Sequence, residues 1–374
     1  MNGIVELPPS GSSEANQSEA NGRNALGLGD GSAAMTAFKR AVDLDPKYMR
    51  AWLLLGIMYM TSEQSDSALD VFRKAIDSDP KQVVARRTYA IALEHLRRAD
   101  AAIDARREVL KIAPDDPRAN TELGSMLVQR KRYAEALPYL ETATKSDSSP
   151  AARVRLGGAY LQVGQTEKGG GILEKVVEAD SSPTMLNWVA YELADANVSL
   201  AKALEYGQRA VDAQERESHD VDLSNVLSAD LVCTLNIGNF WDTLGWIHFR
   251  LGQLDQAESY LHAAWLLLQG GVEADHLGQV FEQQKKTEKA VHMYRLALAT
   301  PEAQAPGGSW DETRHRLEHL TGAKAPTVME VLHGDPNGSE LSELRSVKLK
   351  RLIVSRAVRF EGRDFHSRRG AAPL

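Results

Sequence analysis

Apolar residues return at helical spacing along most of the chain, in blocks of about a dozen residues broken by short polar turns. Trp52, Leu55, Gly56 and Tyr59 stand at i, i+3, i+4 and i+7 and share one face of a helix. Ala68, Phe72 and Ala75 make a matching small–large–small stripe on the next block. Gly56 suits a place where a second helix passes closely. Pro80 then stops the second helix, because proline lacks the amide hydrogen and clashes with the preceding turn. Pro46, Pro80 and Pro114 are evenly spaced, 34 residues apart. The expected unit is a pair of antiparallel helices that cannot bury its own apolar surface and must therefore stack on copies of itself.

The pattern recurs with varying fidelity. Before the first full unit, Ala34, Phe38, Ala41 and Pro46 fit, while the block from about Asn16 to Leu28 is polar and glycine-rich. Then come Tyr89, Ala90, Leu93 and Ala102, with Arg106 where an aromatic is expected. Leu123, Gly124, Leu127, Ala136, Leu140 and Ala143 follow, then Leu156, Gly157, Tyr160, Leu173 and Val176. Trp188, Tyr191, Ala203 and Ala210 mark a weaker unit. Trp241, Leu244, Gly245, His248, Ala257, Leu261 and Ala264 mark a strong one, and Leu277, Gly278, Phe281, Ala290, Tyr294 and Ala297 the last. Asp311 to Leu320 reads as a capping helix.

With its period and its Trp-x2-Leu-Gly-x2-Tyr block, this sequence resembles the tetratricopeptide repeat (TPR) family. The resemblance implies an all-α solenoid, a right-handed superhelix of antiparallel helix pairs. We expect about eight units over residues 25–320, a disordered segment over 1–24 and a basic tail over 321–374. A scaffold of this kind binds rather than catalyses. The expectation is a non-enzymatic adaptor that needs no cofactor or metal and holds a protein or peptide in its concave groove.

Two stretches break the period. Residues 212–238 add roughly 20 positions rich in Val and Leu, read either as a lengthened connection or as an insert that binds a partner. From Val328 the chain turns to alternating, strand-like segments, with nine basic against three acidic residues over Leu341–Leu374. That tail reads as a truncated β-module or, alternatively, an arm for an anionic surface. A second, finer resemblance is to the TPR tails of bacterial envelope proteins that carry a transglutaminase-like region. It rests on Asp242-Thr243-Leu244-Gly245-Trp246, Ala263-Ala264-Trp265, His276-Leu277-Gly278-Gln279-Val280 and Ser339 to Arg345. It implies the alternative of a scaffold portion of a larger envelope enzyme.

Composition narrows the field. A net charge of −7 and a pI near 5.9 argue against specific nucleic-acid binding. No apolar run reaches the length of a membrane span, and Met1–Asp30 lacks the layout of a secretion signal. This points to the cytoplasm, or to the periplasm if the chain is a fragment whose signal lies elsewhere. The lone Cys233 excludes an internal disulfide framework.

Three motifs look chemical. His315-Arg316-Leu317-Glu318-His319 matches an inverted zinc-protease motif, but no third ligand is evident, and a solvated capping helix explains it. Gly164 to Gly171 mimics a phosphate loop without its Gly-Lys-Ser/Thr ending. Close helix packing, or a weak point in the second helix of that unit, accounts for it. Asn16, Asn197 and Asn337 open glycosylation-like triplets, read as chance.

The groove of such a solenoid is lined by first helices, on a stripe about 100° from the core stripe. That stripe holds Arg50, Leu53 and Ile57, then Val84, Arg87 and Ile91, then Arg118, Thr121 and Ser125. Further on come Met185, Trp188 and Glu192, then Asn239, Asp242, Trp246 and Phe249. The N-terminal groove is therefore expected to be basic and apolar, and the C-terminal groove acidic and aromatic. The candidate binding set is Arg50, Leu53, Ile57, Arg87, Ile91, Arg118, Trp188, Asp242, Trp246 and Phe249, rich in the Trp and Arg typical of hot spots. Trp246 and Phe249 also fit a role packing beneath the insert. The places where chaperone-binding TPR domains clamp a terminal carboxylate hold Leu53, Ile57, Val84, Thr88, Thr121 and Glu122, so chaperone tails are not expected ligands. Self-association stays open.

Overall fold

A computed structural model describes residues 4, 6–218, 228–300, 303 and 310–324. Seventeen helices and no strand occur among them: α1 (Ser13–Gly27), α2 (Gly31–Leu44), α3 (Met49–Thr61), α4 (Ser65–Ser78), α5 (Val83–His95), α6 (Ala99–Ile112), α7 (Pro117–Gln129), α8 (Tyr133–Ser146), α9 (Pro150–Gln162), α10 (Thr166–Ala179), α11 (Pro183–Asp195), α12 (Leu200–Ser218), α13 (Ser228–Arg250), α14 (Leu254–Leu268), α15 (Gly271–Gln283), α16 (Thr287–Ala299) and α17 (Asp311–Thr321). They form two compact units, one of residues 1–128 and 138–147, the other of residues 129–137 and 148–374. Consecutive helices pack as pairs, α1 with α2, α3 with α4 and α5 with α6 in the first, and α9 with α10, α11 with α12, α13 with α14 and α15 with α16 in the second. The all-α repeat architecture expected from the sequence is what the chain adopts.

The repeat is written into the backbone at three levels. Each turn inside a pair contains a left-handed residue: Gly29, Glu63, Arg97, Lys131, Gly164, Asn197, Gly252 and Lys285, with φ between 55° and 80°; the turn at Asn197 holds a second, Ser199. At most of these turns the next amide donates to a carbonyl five residues earlier, as Gln64 does to Tyr59 at 2.9 Å and Arg98 to Leu93 at 2.8 Å. That closure satisfies carbonyls a helix end leaves orphaned. Between pairs, the carbonyls of the three periodic prolines are claimed by the following helix. Trp52 Nε1 donates to Pro46 at 2.9 Å, Arg86 Nη2 to Pro80 at 2.9 Å and Asn120 Nδ2 to Pro114 at 2.8 Å. Ser149 and Ser182 cap α9 and α11, each followed by a proline at the first helical position.

In most pairs a small residue on the first helix faces a large one on the second; the sixth pair reverses this, with Tyr191 on its first helix and Gly207 on its second. A methyl group on Gly56 would lie 2.4 Å from the Phe72 ring, on Gly22 2.5 Å from Phe38, and on Gly278 2.6 Å from Tyr294. The third pair varies in another way: Ala90 takes the glycine position and Arg106 the aromatic one. The Arg106 side chain is only 4% exposed, and its guanidinium is held by Glu94 and Glu122. Two carboxylates thus replace the aromatic stack. Arg106→Ala removes the partner of Glu94 and leaves Glu122 with Arg118 alone; both acids are partly solvated, which softens the penalty to about 2 kcal/mol. Arg107→Ala, one residue on at the surface, stays within about 0.5 kcal/mol. Urea midpoints of the two variants against the parent check this, and equal midpoints count against the buried cluster.

One expectation is corrected. Residues 1–24, read as disordered, include most of α1. Its start is capped by Ser12, whose hydroxyl accepts from the Ala15 amide at 3.2 Å. Its polar stripe is buried rather than solvated: Glu19, 1% exposed, pairs with Arg23 at 2.7 Å and Arg50 at 3.0 Å. Gly22 makes room for Phe38. A polar, glycine-rich helix holds here because a partner helix supplies the apolar surface and the countercharge.

The extra residues at 212–238 lengthen two helices. α12 runs to Ser218 and α13 begins at Ser228. Gln214 Nε2 contacts Cys233 Sγ at 3.0 Å, and Trp241 Nε1 donates to Glu215 at 3.2 Å, so the extensions pack on each other. The strand-like, basic segment beyond Lys324 lies outside the described residues.

Candidate functional site

The first unit carries a cavity of about 890 Å³ on its first-helix face. Ile57 and Met60 of α3, Val84, Arg87 and Ile91 of α5, and Arg118 of α7 line it. Four of the groove candidates therefore converge on one cavity. They do so because positions one repeat apart fall side by side when pairs stack.

The charge there differs from the expectation. Each arginine is paired with a carboxylate: Arg87 with Asp116 at 2.7 Å, Arg118 with Glu122 at 2.8 Å, Arg50 with Glu19 at 3.0 Å, the two glutamates being shared with Arg106 and Arg23. The face is apolar, with neutralised rather than free basic groups. Leu53 is corrected outright. It is fully buried and offers no surface. Ile4 also lines the cavity, and it comes from a stretch that the sequence pattern assigned to disorder. The overlooked signal was an aliphatic cluster, Ile4, Val5 and Leu7, inside an otherwise Gly- and Ser-rich terminus.

The second unit arranges its candidates differently. Asp242 and Trp246 are 6% and 5% exposed. Both carboxylate oxygens of Asp242 lie 3.0 Å from His276 Nδ1. The His276 ring stacks on Trp246 at 4.2 Å, and Trp246 on Phe249 at 5.0 Å. Asp242 and His276 lie on the first helices of neighbouring repeats, 34 residues apart. The stripe expected to face an open groove is here spent on contact between adjacent first helices. These two residues are therefore corrected from ligand contacts to interior ones, while Phe249 and Trp188 remain half-buried.

Their surroundings shift proton affinities. Burial opposes a charge on His276, but the Asp242 carboxylate, with Asp275 and Glu273 nearby, outweighs it and lifts the imidazole to about 9. Glu192 packs over Gly158, where a methyl group would lie 2.0 Å from its carboxylate. It accepts from Trp188 Nε1 at 3.3 Å. Burial, then the neighbouring Asp195, pushes it up to about 8.

His315 stands exposed on α17 with Nδ1 3.7 Å from Glu318. Among the described residues no group of three His, Cys, Asp or Glu side chains is placed to hold a metal ion. No helix among them is long and apolar enough to cross a membrane.

Comparison with known proteins matches part of the chain to a repeat family. Tetratricopeptide repeat models match residues 19–83, and residues 59–121 and 127–185. Over those residues the chain carries tetratricopeptide repeats. A crystal structure of a tetratricopeptide repeat protein from Parabacteroides merdae is 12% identical to this TPR chain, covers 83% of it and 100% of its own length, and superposes with a TM-score of 0.50. MamA is 21% identical over 44% of this chain and 91% of its own, with a TM-score of 0.38. YrrB, described as a TPR protein with an unusual peptide-binding site, is 19% identical over 49% of this chain and 93% of its own, with a TM-score of 0.39. At these identities the likeness is one of fold. Among curated proteins, none matches this TPR chain.

Proposed function

We propose that this TPR protein is a non-catalytic adaptor that binds a protein or peptide through the first-helix face of its N-terminal unit. The observation that carries this reading is the cavity of about 890 Å³, on which Ile57, Arg87, Ile91 and Arg118 converge. An aliphatic floor with ion-paired arginines at its edge suits a side chain that wants burial next to a backbone that wants hydrogen bonds. The arginine pairs with Asp116 and Glu122 keep those guanidinium groups oriented before a ligand arrives, which lowers the ordering cost of binding.

The test is a displayed peptide library panned against the full chain, followed by titration of the selected peptides against Arg87→Glu/Ile91→Glu. Both positions are half-buried at the cavity wall, and the circular dichroism melt of the variant reports whether the repeat survives. The expected result is at least a tenfold loss of affinity, on the order of 1.4 kcal/mol or more. Equal binding of the same peptides by a folded variant overturns the assignment.

A further inference from the structure

The repeats alone do not line the N-terminal cavity; the chain reaches back into it. Ser10 is the anchor. Its amide donates to Asn16 Oδ1 at 2.8 Å, its carbonyl accepts from Asn16 Nδ2 at 2.7 Å, and its hydroxyl bonds to Asp45. Upstream of that anchor, the Leu7 carbonyl accepts from Arg50 Nη1 at 3.3 Å, and the Leu7 amide donates to the Ile4 carbonyl at 3.2 Å. The second bond closes one turn, which puts Ile4 and Leu7 on the same side, as i and i+3.

Both side chains are 6% exposed and belong to the same apolar core as Trp52, Leu53 and Phe72. On α3, Arg50, Leu53 and Ile57 follow one face. Arg50 holds the Leu7 carbonyl at one end, Ile57 shares the cavity with Ile4 at the other, and Leu53 between them has no exposed surface. The N-terminal turn thus lies along the stripe that the repeat pattern reserves for a ligand.

We propose that this groove recognises a short amphipathic turn carrying two aliphatic side chains at i and i+3, and that Ile4 and Leu7 are the chain's own copy of that ligand. The inference rests on the adaptor reading above and names its partner chemistry: apolar anchors on one face of a helical turn, laid into a groove. The cavity beside Ile4 leaves room for a longer ligand to add further anchors. A tethered occupant acts at an effective concentration of order millimolar. A free peptide of the same chemistry with a Kd near 10 μM therefore binds the intact chain roughly a hundredfold more weakly than it binds an opened groove.

The probe is a fluorescein-labelled synthetic peptide with the sequence of residues 1–9, titrated by anisotropy against two full-length proteins. One is the parent chain and the other Ile4→Ser/Leu7→Ser. The opened variant is expected to bind at least tenfold more tightly than the parent. Adding Arg87→Glu/Ile91→Glu abolishes that binding, and a probe with serine at both anchors does not bind. If Ile4→Ser/Leu7→Ser lowers the melting temperature too far to titrate, a protease site placed between Pro9 and Ser10 is cut after folding. The labelled probe must then exchange into the cut protein.

Equal affinity for parent and opened variant, or no binding to either the opened or the cut protein, overturns the self-ligand. Library peptides that still depend on Arg87 and Ile91 while the residue 1–9 probe stays silent leave the groove standing and remove only its cis occupant. If those library peptides are indifferent to Arg87 and Ile91 as well, the groove reading falls too.

Discussion

Gly169→Ala lowers the melting temperature, whereas Gly170→Ala and Gly171→Ala, its immediate neighbours in α10, raise it. The three glycines look alike in the sequence and differ entirely in what surrounds them. A methyl group on Gly169 would lie 2.7 Å from the Gly157 carbonyl oxygen and 2.8 Å from Leu161 Cδ2, while at Gly170 and Gly171 nothing stands within 4 Å. The Gly157 carbonyl belongs to the backbone of α9 and cannot swing aside as a ring or a leucine tip can. Alanine at 169 thus forces α9 and α10 apart. Overpacking of this kind costs about 1–3 kcal/mol and exceeds the helix-propensity gain of about 1 kcal/mol. At 170 and 171 only the gain remains, because alanine loses less chain entropy on entering a helix. Thermal unfolding of the three single variants reads the sign directly. Three shifts of one sign refute the packing account and return the run to a weak point in the helix.

Asp242→Asn destabilises the second unit by about 3 kcal/mol, since it strands a buried imidazolium or forces it to release its proton. The wild-type pair also sets a pH dependence. An unfolded histidine loses its proton near 6.5, and folded His276 near 9. Between those values the folded state binds the extra proton, so stability falls as pH rises. The contribution is fully present below 6.5 and gone above about 9. Glu192 slopes the same way over a lower window. Its carboxyl, pushed from 4.5 to about 8, keeps a proton that the unfolded chain releases. Stability from this group accordingly declines from 4.5 to about 8 and is level beyond. The two are separable: a comparison of denaturation midpoints at about pH 8 and 9.5 contains the last part of the His276 decline and little of the Glu192 one. Asp242→Asn should flatten that comparison and leave the decline at lower pH. An unchanged drop above pH 8 in the variant assigns the effect to another group.

Much of this architecture was legible in the residues. The period, the glycine facing a large side chain and the proline after most second helices are local devices, set by distance along the chain. They read out correctly even where one member is replaced, as at Arg106, because the rest of the unit keeps register. The stripe of Ile57, Arg87, Ile91 and Arg118 could be placed by counting around a helix, and the four do share a cavity. Leu53, Asp242 and Trp246 sit on that same stripe and are buried. Counting around one helix cannot say what lies against it, and here the answer is a neighbouring first helix or the chain's own N-terminus.

What the sequence by itself determined, then, is the repeat: its 34-residue spacing, its helix pairs and the face each pair buries internally. Helical periodicity and caps depend on neighbours a few residues away, and these are visible in one dimension. Tertiary structure alone decided which of three adjacent glycines is indispensable, that a polar helix at Ser13–Gly27 has a partner for Glu19, that Asp242 meets His276, and that Ile4 and Leu7 join the core of Leu53 with the Leu7 carbonyl on Arg50. Each of these depends on a contact between segments of no fixed separation. The free energy of such a contact comes from surface removed from water and charges brought together, and neither exists until the helices have stacked.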